Sequence, residues 1–139
     1  MPTEENKAIA RRFIQVWGSG ELDLIDELAA PALTVHYPIL PHVIRGGKTF
    51  KKLLHGFRSS FPDATLHVEE EIAEDDKVVI RWRFSGTHQG DFLNIPATGK
   101  KVQWTGITIY HIVDGKVAAE KGEEDFLGLL CQLGLDPRP

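Results

Sequence analysis

The hydrophobic residues of this chain change their spacing at Phe61-Pro62-Asp63. Before that point apolar side chains recur every three or four residues, the repeat of a helix with one buried face. After it they alternate with polar residues, the repeat of a strand with one buried face. Pro62 disfavours helical geometry at Phe61 and so closes the helical half.

Within the first half, Thr3 followed by Glu4 and Glu5 reads as an N-cap with acids in the first turn. Ile9, Phe13, Val16 and Trp17 form one face, and Gly18-Ser19-Gly20 ends the helix. A second helix carries Leu22, Ile25 and Leu28 and is stopped by Pro31. Leu33 to Tyr37 reads as a short strand closed by Pro38, and Pro38 and Pro41 bracket a loop. A third helix starts near Gly47 and carries Phe50, Leu53, Leu54, Phe57 and Phe61.

The second half reads as strands over 65–73, 78–86, 102–113 and 117–124, with a long connection from His88 to Lys100. Val78, Ile80, Trp82 and Phe84 share one face, and Arg81 and Arg83 share the other. Glu70 interrupts the apolar side of the first of these strands. Asp114-Gly115 is a hairpin turn. Phe126, Leu129, Leu130 and Leu133 form the apolar face of a closing helix. Helices, then strands, then a helix predict an α+β fold with helices covering one sheet face, and a curved sheet so covered encloses a pocket.

The 139 residues suit one domain spanning 1–139. A net charge of -4 carries no basic footprint, which argues against nucleic acid or an anionic membrane as partner. Cys131 stands alone, so there is no intramolecular disulfide and no thiolate metal site. No two of the six histidines have metal-ligand spacing, so no metal is expected. The polar, acidic N-terminus is unlike a secretory leader and predicts a cytoplasmic protein.

Five stretches together resemble the SnoaL-like polyketide cyclases of the nuclear transport factor 2-like superfamily. They are Val16 to Asp23, Phe61-Pro62-Asp63, Gly86 to Lys100, Trp104-Thr105-Gly106-Ile107 and Glu124 to Gly134. The resemblance implies a cone-shaped α+β barrel, a curved antiparallel sheet closed by helices. It implies a cofactor-independent intramolecular aldol condensation on a hydrophobic, oxygenated small molecule. The same scaffold hosts hydroxylases, hydratases, isomerases and plain binding modules. The resemblance also implies a homodimer through the outer sheet face, for which Arg81, Arg83, Gln103 and Thr105 are available.

By this resemblance an aspartate near the start of the last helix is the acid/base, and Asp125 matches it. Asp125 also precedes an amphipathic helix, the position of an N-cap, and the two roles compete for its carboxyl. His111 and His36 are candidates to polarise a carbonyl. Trp17, Phe57, Phe61, Trp82 and Ile109 are candidates to contact substrate. Related steroid isomerases carry a tyrosine and an aspartate where this chain has Phe13 and Tyr37, which argues against that chemistry. Lys121 replaces an aromatic residue common in cyclases, and pointing inward it would lower the pKa of a neighbouring carboxyl.

Overall fold

A computed structural model describes residues 2–136 and 138. Helix α1 (Pro2–Phe13) runs into a 3₁₀ turn, Ile14–Trp17. Helix α2 (Asp23–Leu28), strands β1 (Ala29–His36) and β2 (Ile44–Arg45), and helix α3 (Gly47–Ser60) complete the first half. Strands β3 (Thr65–Glu74), β4 (Lys77–Thr87), β5 (Lys101–Val113) and β6 (Lys116–Glu124), then helix α4 (Phe126–Gln132), make up the second. Thr3 lies inside α1, whose first residue is Pro2, a position where the absent proline N–H costs nothing.

The six strands form one mixed sheet in the order β2-β1-β6-β5-β4-β3. It is a curved, open sheet whose inner face is covered by helices, as the resemblance implies, and it departs from a wholly antiparallel sheet only where β1 runs parallel to β6. Helix α2 ends three residues before Pro31, which instead sits inside β1 where the pairing with β6 skips from Ala29 to Thr34. A proline is tolerated in such a gap because no ladder bond needs its missing N–H. The interruption at Glu70 has a related origin: the β3–β4 register shifts between Val68 and Glu70, and the extra residue moves the following side chains to the opposite face.

The buried face of the sheet carries alternate residues. On β5 these are Val102, Trp104, Thr108, Tyr110 and Ile112, and on β4 they are Val78, Ile80, Trp82 and Phe84. Ala10 and Phe13 from α1 and Phe50 and Leu54 from α3 complete the core. Helix α4 is held where β5 extends past the end of β6. The Gln132 amide exchanges two hydrogen bonds with the Gln103 backbone at 2.9 and 2.7 Å, and the Asp125 N–H donates to the Thr105 carbonyl at 2.8 Å. No described helix is long and apolar enough to cross a membrane.

Candidate functional site

Between the helices and the inner sheet face lies a cavity of about 500 Å³. The 3₁₀ turn after α1 contributes Ile14 and Trp17, and α3 contributes Leu53 and Phe57. The sheet supplies Trp82, Phe84, Trp104 and Glu124, the 88–100 connection supplies Phe92, and α4 supplies Phe126 and Leu129. The aromatic rings meet mainly edge to face: Phe57 lies 5.2 Å from Trp17 and 5.1 Å from Phe84 between ring centroids. That geometry aligns ring edges with the negative faces of neighbouring rings and stiffens the wall. A space of this size with apolar walls and few polar groups suits a hydrophobic ligand.

Polar groups at one end of this cavity converge on a buried carboxylate. Tyr37 and Trp17, both in the wall, donate to Oε2 of Glu120 at 2.5 and 2.8 Å. The Thr108 hydroxyl lies 3.0 Å from the Tyr37 oxygen and accepts from Trp82 Nε1 at 2.9 Å. Glu120 is completely buried, and its second oxygen, Oε1, has no hydrogen-bond partner among the described residues. Removal from water pushes its carboxyl up to about 7, against the opposing pull of the Tyr37 and Trp17 hydrogen bonds.

Two glycines make room for this network. Gly106 faces Trp82 across β4 and β5, and a Cβ there would sit 2.2 Å from the indole ring. Gly122 pairs with Thr108, and a Cβ there would lie 2.0 Å from the Tyr37 ring. Each aromatic ring therefore lies against bare backbone, and their polar ends meet at Thr108.

Glu124 stands further along β6 on the same inward face as Glu120. Four residues of strand separate their backbones by about 13 Å. Its Oε2 accepts from Trp104 Nε1 at 3.1 Å, and the side chain lines the cavity. Desolvation by the surrounding rings raises its pKa, while the Trp104 hydrogen bond works in the opposite direction. Glu124 is thus a carboxyl group in apolar surroundings that adjoins the space a ligand would occupy.

Of the residues singled out from sequence, Trp17, Phe57 and Trp82 line the cavity. Phe61 is fully buried behind it, 5.3 Å from Phe57 and 5.5 Å from Trp104 between centroids, and supports the wall. Ile109 is on the outer face and is 43% exposed. Asp125 is exposed, and its Oδ1 accepts from the Gly128 N–H at 2.9 Å, making it the N-cap of α4. His111 lies on the outer face, with Nε2 2.6 Å from Asp76 Oδ2 at the β3–β4 turn. His36 pairs in register with Lys121, which is exposed, and none of Asp125, His111, His36 and Lys121 lines the cavity.

Strand parity accounts for these placements. Gln103, Thr105, Ile109 and His111 are all odd-numbered on β5, so an outer face for the first two carries the others with it. The same parity turns Trp104, Thr108 and Tyr110 inward. On β6, Glu120, Gly122 and Glu124 face in while Lys121 and Glu123 face out. The signal for Glu120 was its alternation with Gly122 and Glu124, obscured because the run contains no large apolar residue.

Comparison with known proteins places this architecture. Residues 7–133 match the family described as SnoaL-like polyketide cyclase. The aklanonic acid methyl ester cyclase DauD of Streptomyces sp. strain C5 is 28% identical over 138 residues, covering 94% of this chain and 82% of that protein. The nogalonic acid methyl ester cyclase of Streptomyces nogalater is 30% identical over 129 residues, covering 91% of this chain and 95% of that one. Among solved structures, TsrD from Streptomyces laurentii superposes with a TM-score of 0.84 at 30% identity, covering 97% and 98% of the two chains. Its match over nearly the whole sequence, its α+β architecture and its walled cavity agree: the chain belongs to the SnoaL-like polyketide cyclase family.

Proposed function

We propose that this chain closes a ring in a hydrophobic, oxygenated polyketide by cofactor-independent intramolecular aldol condensation, with Glu124 as the acid/base group. The observation that carries this reading is the Glu124 carboxyl, set in an aromatic wall of a 500 Å³ cavity with its pKa raised. An aldol closure begins when a base removes a proton from carbon next to a carbonyl and ends when the new alkoxide is protonated. A carboxyl whose pKa is raised toward working pH serves such transfers better than an ordinary one. Asp125 contributes by starting α4, which places Phe126 and Leu129 in the wall.

The named relatives act on polyketide methyl esters, so aklanonic acid methyl ester and nogalonic acid methyl ester are the first substrates to offer. Ring closure without change of mass in the aldol adduct, followed by chromatography and mass spectrometry, is the expected result. A product heavier by one oxygen would instead assign a hydroxylase. Binding of either ester without turnover would assign a carrier.

The same reading includes a homodimer through the outer sheet face. Ile107 and Ile109 are 46% and 43% exposed there, beside Arg81 and Thr105. Sedimentation at micromolar concentration is expected to give twice the chain mass, and Ile109→Arg to give the monomer. A monomeric wild type would remove the dimer.

A further inference from the structure

We propose that Glu120 is a positioning residue that decides whether Tyr37 offers its phenol proton to the cavity. The inference rests on the reading of the cavity as a carbonyl-binding site. It comes from the direction of the hydrogen bonds around Thr108. An indole N–H only donates, so the Thr108 oxygen receives the Trp82 proton and its own hydroxyl proton is free for the Tyr37 oxygen. The Tyr37 hydroxyl then donates to Glu120 Oε2, which also receives the Trp17 N–H. With Glu120 ionised, every donor in the chain points toward its carboxylate, and the phenol proton is committed away from the cavity.

A proton on Glu120 Oε2 reverses the last link. The carboxylic acid donates to the Tyr37 oxygen, which accepts from Glu120 and Thr108 together, and the phenol proton is released toward the cavity that Tyr37 lines. The Tyr37 ring lies against Gly122, two residues along the inward face from Glu124, so the donor and the Glu124 carboxyl serve neighbouring parts of one ligand. During ring closure the transfer balances. The alkoxide oxygen takes the phenol proton as Glu120 passes its own to the Tyr37 oxygen. Glu120 ends ionised, Tyr37 remains a phenol, and proton exchange with solvent restores the starting state.

The groups that face Glu120 leave it as the titrating member. Tyr37 follows β1 and Tyr110 stands opposite on β5. Burial foremost, with the Glu120 charge second, holds both phenols well above their ordinary pKa, so both remain neutral. The 3₁₀ turn presents Trp17, α1 presents Phe13 against Tyr110, and α3 presents Phe50 against Trp17. Among the described residues no cationic side chain pairs with Glu120.

The test uses 9-fluorenone, a rigid apolar ketone, with the infrared carbonyl stretch of the bound probe as readout. In the wild-type protein the stretch is expected at lower frequency in acid, where Tyr37 donates, and to return upward as pH rises through about 7. Tyr37→Phe is expected to abolish the shift at every pH. Glu120→Gln removes the pH step, and Glu124→Gln keeps it. A carbonyl band that does not move with pH, or a step that survives Tyr37→Phe or Glu120→Gln, overturns the proposal. Should Glu120→Gln fail to fold, carbon-13 titration of the wild-type glutamates supplies the second reading. One carboxyl must titrate near 7 and move upward in Tyr37→Phe, because a hydrogen bond to its ionised form has been removed, and a titration unmoved by that substitution overturns the proposal. Neither readout requires turnover, so a protein that shows the step but closes no ring refutes the cyclase reading alone.

Discussion

Glu124→Gln lowers the rate of ring closure by about 10²- to 10⁴-fold, the range for losing a positioned general acid or base. The amide keeps the size of the side chain and accepts the Trp104 N–H as the carboxylate does, so the wall survives while the proton acceptor is lost. Asp125→Asn is the necessary comparison. Asparagine caps helices as well as aspartate, so the Gly128 contact persists and turnover stays near wild type. The pH profile gives an independent reading. A base must be ionised, so kcat/KM falls as pH drops through the Glu124 pKa, which desolvation places above the ordinary glutamate range. Trp104→Phe removes the hydrogen bond that favours the ionised form, and the acidic limb moves to still higher pH. Full activity in Glu124→Gln together with inactivity in Asp125→Asn would return the acid/base role to Asp125.

The competition between these two adjacent acids shows what the sequence can and cannot display. Order and type of the main elements follow from local spacing, because helical and alternating patterns each record one buried face. The family resemblance likewise lay in short motifs readable in order. Which carboxyl enters the cavity depends on the phase of β6, and that phase is set across the sheet. The β5–β6 register shifts between His111 and Ile112, so the inward side changes from Val117 to Glu120 over an odd number of residues. No local pattern announces such a bulge. The two-residue strand β2 and the parallel pairing of β1 with β6 are also decided by long-range contacts. The parity of β5, in contrast, was legible: Val102, Trp104 and Tyr110 share one parity and Gln103 and Thr105 the other, so Ile109 could not share a face with Trp104 and Tyr110.

Glu120→Gln is expected to raise stability above neutral pH and to change it little in acid. The folded-state pKa of Glu120, about 7, lies above its ordinary value of 4.5, so the native protein binds a proton that the unfolded chain has released. Stability from this group is fully present below the ordinary value and is lost as pH rises through the folded one. The window is therefore pH 4.5 to 7, and the loss across it is about 3 kcal/mol. A glutamine does not titrate, so the variant lacks this loss. Its Tm relative to wild type then climbs by roughly 10 °C between the two ends of the window, given a few degrees per kcal/mol for a chain of this length. Asp63 and Asp76, whose pKa values are lowered by their hydrogen bonds to Thr87 and His111, titrate below this window and are shared by both proteins. Glu124 titrates in the same direction as Glu120 but is also shared, so subtracting one melting series from the other isolates Glu120. A Tm difference that stays constant across the window would mean that Glu120 keeps one charge state throughout, and with it that Tyr37 keeps one hydrogen-bond direction.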